Sequence, residues 1–201
     1  MALASAHDRT ISIPSAALGG GTALGAASHG AVAGIIPRNQ RQSEWCWAAC
    51  LQMVLGKFGI TKSQCELANA ATGNHECCDS EANASSSLCD QPIQVLQYAS
   101  EYAKYQVASN LQTQSLSYAA AQQEIASDRP VQVGIQWSFG GHAVLVVGWD
   151  DSADGQYLLV NWPTLSPSDP SASGSMLYQE LLSPNNSAGT WKWSWTGIHA
   201  L

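Results

Sequence analysis

A chain of 201 residues and 21.2 kDa, 45% of them hydrophobic, can bury one substantial core, and its length fits one compact domain. With 8 basic and 15 acidic side chains the net charge is -7, which repels a phosphate backbone and argues against nucleic acid as a partner. Charged residues are only 11% of the chain, well under the roughly 25% of ordinary soluble proteins, and no run of about 18 apolar residues supports a membrane-spanning helix.

The first 35 residues are rich in Ala, Gly and Ser and carry little apolar periodicity. They read as a flexible arm or the remnant of a pro-segment, leaving residues 36–201 as the single folded domain. The opening "MALASAHDRTISIPSAALGG" lacks a basic start followed by an apolar stretch and so does not read as an ordinary secretion signal. In "CWAACLQMVLGKFG" the apolar residues Cys46, Ala49, Cys50, Met53, Val54 and Phe58 share one helical face, and Gly59 can end the helix. Short helical turns, including "SQCELANAAT", follow in a cysteine-bearing loop region. "QPIQVLQYASEYAKY" reads as a helix with Pro92 in its first turn, and "SYAAAQQEIASD" as another that stops before Pro130.

Past Pro130 the apolar period shortens. "VQVGIQW", "HAVLVVGWD" and "QYLLVNW" are short runs of Val, Leu, Ile and aromatics separated by turn residues, and each predicts a strand. "WKWSWTGI" predicts a fourth, with Trp191, Trp193 and Trp195 on one face. Between them lies surface loop with a short helix at "MLYQELL". Helices first and an antiparallel or mixed sheet afterwards define an α+β domain. There is no internal repeat, no "GxxxxGK" loop and no dinucleotide-binding turn.

All six cysteines fall between residues 46 and 89, which points to local staples and an oxidising compartment. Adjacent Cys77 and Cys78 are poorly placed to bridge each other, so each takes a partner from Cys65 and Cys89. Two pairings remain: Cys65–Cys77 with Cys78–Cys89, or Cys65–Cys78 with Cys77–Cys89, the second slightly favoured. Cys50, one turn after Cys46 and facing the core, reads as free and buried. Four cysteines and His75 also invite zinc, but paired C-x₂₋₄-C knuckles are missing, so no metal or other cofactor is expected.

A cysteine at a helix amino end is a candidate nucleophile because the helix terminus and a nearby imidazolium both favour the thiolate. His142, in "GGHAVLVVGW" at the start of a strand, can serve as the base. Asn161, in "LLVNWP" at the end of the next strand, can orient the ring. In the order Cys, His, Asn, these three follow the papain-like plan. "QRQSEWCWAAC" is similar to the glutamine and cysteine motif of papain-like proteases, "GHAVLVVGWD" to their histidine segment and "LLVNWP" to their asparagine segment. "QCELANAATGNHECC" resembles a region of compact bacterial members. The resemblance covers roughly residues 36 to 162. It implies a papain-like fold, peptide-bond hydrolysis through an acyl-enzyme, Cys46 as nucleophile, His142 as base, Asn161 as its orienter and Gln40 as oxyanion donor. The chain departs from the papain pattern in placing Trp45 before Cys46, with Ser43 where papain has a bridging cysteine, and in placing Trp162 directly after Asn161.

The expected protein is therefore a secreted or otherwise extracytoplasmic, monomeric cysteine endopeptidase acting on protein or peptide and open to a proteinaceous inhibitor. The alternatives are an amidase or transferase with the same acyl-enzyme, a translocated effector toxin, or a catalytically silent domain that binds through Trp162, Trp191, Trp193 and Trp195.

Overall fold

A computed structural model describes residues 28–151, 155–165, 174–184 and 188–201. The expectations for residues 1–27 and for the middle of the surface insert lie outside the described residues. In chain order the elements are β1 (His29–Ala31), α1 (Cys46–Lys57), α2 (Gln64–Thr72), α3 (Glu81–Ala84), α4 (Gln97–Ala103), β2 (Val107–Gln112) and α5 (Tyr118–Ala126). After these come β3 (Val131–Trp137), β4 (Gly140–Asp150), β5 (Tyr157–Asn161), β6 (Gly174–Leu177), α6 (Tyr178–Leu182) and β7 (Thr190–Ala200).

The strands form one antiparallel sheet in the order β2-β7-β3-β4-β5-β6, with β1 added against β4. The architecture is α+β, as the order of patterns implied, and papain-like, as the resemblance implied. β3 runs along β4 from Gly140 to Val146, and β1 takes up positions Gly148 to Asp150. A Cβ on Gly148 would stand 2.8 Å from the Gly30 carbonyl oxygen, so the absence of a side chain there is what lets β1 approach.

Both faces of the sheet are covered. Ala143 and Leu145 of β4 pack with α1, while Val144 and Val146 pack with Tyr118, Ala121 and Ile125 of α5. This alternation is the two-residue period of a strand, and it explains why β3 and β4 read as near-continuous apolar runs. α1 is buried almost all round, from Trp47 to Leu55 apart from Gln52, as a helix central to a core must be. Burying each large side chain such as Leu55 or Met53 contributes about 1.5–3 kcal/mol.

Several expectations need correction. Residues 28–35 are not an arm set apart from the domain. His29–Ala31 pairs with β4, Val32 N–H donates to the Val147 carbonyl at 2.8 Å and Val32 is buried. The helix expected from Gln91 begins only at Gln97. The Trp47 indole N–H donates to the Gln91 carbonyl at 3.0 Å and the Gln97 amide oxygen accepts from Gln94 N–H at 2.7 Å, which holds the preceding residues out of helix. β2 was not expected; "VASNLQ" has little strand pattern of its own and is organised by its register with β7.

The three C-terminal tryptophans do not share a face. A register shift where Gly134 opposes Trp193 and Ile135 opposes Trp191 places Trp191 in the α5-side core and Trp195 in the α1-side core. Trp191 and Trp195 are buried, so they are packing residues and not a recognition surface. Gly134 makes room for this, since a Cβ there would lie 3.0 Å from Trp193 and 3.2 Å from Trp195.

Among the cysteines, Cys65 is bonded to Cys78 and Cys77 to Cys89, while Cys46 and Cys50 are free. The second pairing is the one formed, and the four cysteines of a zinc reading are occupied as disulfides. No helix of the described residues is long and apolar enough to cross a membrane.

Candidate active site

Cys46 is the first residue of α1, and the preceding Trp45 makes no side-chain capping bond. The first-turn N–H groups of a helix have no partner within it, so the backbone here is free to serve the sulfur. The half-buried thiol receives Ala143 N–H at 3.4 Å, with the N–H groups of Trp47 and Cys46 also turned to it. The tryptophans on either side anchor this helix end. Trp45 Nε1 donates to the Cys89 carbonyl at 2.8 Å and Trp47 Nε1 to that of Gln91. The Ser43 hydroxyl and the Glu44 N–H both donate to the Asp90 carboxylate. The Cys77–Cys89 disulfide thus fixes the wall against which Cys46 is presented.

His142 precedes the residue whose N–H meets the sulfur, which brings the start of β4 to the helix end. Its ring stacks on Trp162, with centroids 5.3 Å apart and planes at 29°, and Trp137 stands edge-on at 6.3 Å. Burial pushes the imidazole down to about 4, opposed by the Pro163 carbonyl beside it, and Nε2 is buried with no hydrogen-bond partner among the described residues. For Cys46, burial pushes the thiol up to about 11. The three N–H groups pull the other way by less, and the Glu44 charge adds to the rise. Burial thus disfavours the charged form of each group, the thiolate of Cys46 and the imidazolium of His142.

Asn161 is offset from His142 along the sheet. It lies opposite Leu145 in the β4–β5 register, three residues along β4 from His142, or about 10 Å at 3.4 Å per residue. Directly opposed residues share a face, and three positions along a strand reverses it, so Asn161 faces α1, where its Nδ2 meets Met53 Sδ at 3.5 Å. The strand period alone carries that signal, because Asn161 and Leu145 must face alike.

Gln40 is buried, but its Nε2 donates to the carbonyls of Gln42 at 2.9 Å and Ser43 at 2.8 Å, while Oε1 has no hydrogen-bond partner among the described residues. Both amide hydrogens are used within the turn that leads into α1, so Gln40 braces the turn and does not offer a free donor. Gln64 ties the same segment down, accepting from Arg41 N–H at 2.8 Å and donating to the Asn39 carbonyl at 2.8 Å. Nothing in the sequence motif singles out Gln64. A cavity of about 790 Å³ opens beside this segment between Arg38, Arg41, Gln42 and Glu81, but neither Cys46 nor His142 lines it. No cluster of three or more His, Cys, Asp or Glu side chains among the described residues could hold a metal.

Similarity to known proteins agrees with the fold. The description of the Peptidase_C39-like family matches residues 32–179. A double glycine motif protease from an AMS/PCAT transporter, solved with a leader peptide, is 13% identical with a TM-score of 0.53, covering 86% of this chain and 95% of its own. The peptidase domain of ComA, a bi-functional ABC transporter of Streptococcus involved in quorum sensing, is 12% identical with a TM-score of 0.52, covering 83% of this chain and 98% of its own. At these identities the two structures speak for the fold alone. A search of curated protein sequences gives no match. With a matched span from just after β1 to the start of α6 and a cysteine at the head of its central helix, the chain belongs to the Peptidase_C39-like family of cysteine-protease-like domains.

Proposed function

We propose that the protein is a cysteine peptidase that cleaves peptide bonds through an acyl-enzyme on Cys46. The observation that carries this reading is the sulfur of Cys46 at the amino end of α1, touching the backbone N–H that follows His142. His142, neutral at pH 7, accepts the thiol proton as the sulfur attacks the scissile carbonyl, and the Cys–carbonyl bond forms. The resulting imidazolium gives that proton to the departing amine as the peptide bond breaks, then takes one from the water that releases the acid. In this reading the backbone N–H of Cys46 turns from the sulfur to the developing oxyanion, and Gln40, which braces the turn before the helix, supports it. No cofactor enters these steps.

The substrate is a peptide or protein segment, in keeping with the leader peptide bound by the double glycine motif protease of similar fold. Two disulfides support a setting outside the reducing cytosol. The test joins a thiol-directed probe to a peptide library. Cys46 should label, cleavage should be lost in Cys46→Ala and His142→Ala, and labelling without any cleavage would replace hydrolysis with transfer or amidase chemistry.

A further inference from the structure

We propose that the crevice beside the turn leading into α1 binds an acidic side chain of the peptide substrate through Arg38 and Arg41. The proposal rests on the peptidase reading above for its cleavage arm, while peptide binding tests the crevice by itself. The chain holds 8 Lys and Arg, and all but Arg9 lie among the described residues. Lys57, Lys62, Lys104 and Arg129 are ion-paired, and Lys192 lies over the Trp193 ring at 5.3 Å. Among the described residues the guanidinium groups of Arg38 and Arg41 have no such partner, although the chain carries 15 acidic side chains. Both line the same crevice of about 790 Å³.

The main chain that carries them is pinned, since Gln64 accepts from Arg41 N–H and donates to the Asn39 carbonyl, each at 2.8 Å. A planar guanidinium matches a carboxylate with two parallel N–H bonds. The carboxylate already lining the crevice, that of Glu81, accepts from Gln42 Nε2 at 2.6 Å, which leaves two cations against one engaged anion. The volume falls within the roughly 300–1,000 Å³ of ligand sites and exceeds what one inorganic anion fills. Gln40, which also lines the crevice, keeps a buried Oε1 with no hydrogen-bond partner among the described residues. An acceptor there suits a peptide N–H and repels a free anion. Trp45, another lining residue, directly precedes Cys46, so an occupant of the crevice lies beside the turn that presents the nucleophile.

The test compares the full chain with the double substitutions Arg38→Gln, Arg41→Gln and Arg38→Lys, Arg41→Lys. Both side chains are exposed, so thermal melts should match the wild type and report that each variant is folded. Peptide libraries carrying Glu or Gln at each position in turn are read by kcat and KM, and fluorescence anisotropy follows the same peptides on Cys46→Ala. The wild type should prefer Glu at one position by about tenfold, through KM, and Cys46→Ala should bind the Glu peptides about tenfold more tightly than the Gln peptides. In about 1 M salt, which screens charges beyond roughly 3 Å, the preference should shrink. Arg38→Gln with Arg41→Gln should reduce it to within about twofold by raising KM for the Glu peptides, and the Lys substitutions should keep part of it. No Glu preference in the wild type, or an equal one in the folded Gln-substituted protein, overturns the proposal. Binding of inorganic phosphate that needs both arginines, without any Glu preference, also overturns it, because the occupant is then a small anion. If no peptide is cleaved at all, the peptidase reading fails while anisotropy still decides the crevice.

Discussion

At the scale of single residues, burial works against the charged forms of both Cys46 and His142. An ion pair would give Cys46 nearly constant reactivity from pH 5 to 8. With the thiol held up at about 11, alkylation by iodoacetamide should instead rise about tenfold per pH unit through that range; a plateau would show that the imidazolium forms after all. Gln40 presents a second test. Removing its amide leaves the buried Gln42 and the Ser43 carbonyl without their donor, so Gln40→Ala should cost about 1–3 kcal/mol in urea unfolding. Because the same turn carries the backbone of Cys46, kcat should fall with little change in KM. The types of Cys46, His142 and Gln40 were legible from motif spacing. What Gln40 bonds to, and which way Asn161 faces, were not, since both depend on main chain brought in by the fold.

Among the elements, α1 and the strands from β3 to β5 follow their patterns closely because their side chains are buried on a regular period. α2 begins where the sequence marks it: the Ser63 side chain accepts from Glu66 N–H while the Glu66 carboxylate accepts from Ser63 N–H, worth about 1 kcal/mol. The region from Ser85 to Leu96 has no such local code. It is held by the Cys77–Cys89 disulfide and by the two indoles beside Cys46. Cys77→Ser with Cys89→Ser should therefore lower stability by about 2–4 kcal/mol and reduce turnover together, whereas loss of stability without loss of turnover would detach this wall from the site. A thiol titration of the unfolded wild type should count two free thiols, Cys46 and Cys50.

For the whole molecule, burial of His142 links stability to pH. The unfolded ring takes up a proton near 6.5 and the folded one only near 4, so the native state binds fewer protons between these values. Its contribution is full above about 6.5 and is lost as pH falls toward 4, amounting to at most about 3 kcal/mol. Urea midpoints measured from pH 7.5 to 4 should fall, and His142→Leu should flatten that slope. The carboxylates of Glu124 beside Arg129 and Asp128 beside Lys57 are held below their ordinary range by these partners despite some burial. Their contribution is present above the ordinary carboxylate pKa and lost only at lower pH, so the two effects separate along the same titration. The Lys57 ammonium also reaches the Ala33 carbonyl, and the Asp128 carboxylate accepts from Ala33 N–H, which joins the β1 segment to α1 and to the end of α5.

By itself, the amino-acid sequence determined the α+β order, the buried helix headed by Cys46, the strands bearing His142 and Asn161, and a cysteine-protease-like plan. Those features are written in local periods and in residues a few positions apart. Tertiary structure alone decided that β1 and β2 join the sheet, that Trp191 and Trp195 lie in opposite cores, and that Asn161 turns to Met53 while Trp162 faces His142. The physical reason is register. A strand's partner fixes which residues oppose one another and a single shift reverses every face, and neither is encoded within the strand that obeys it.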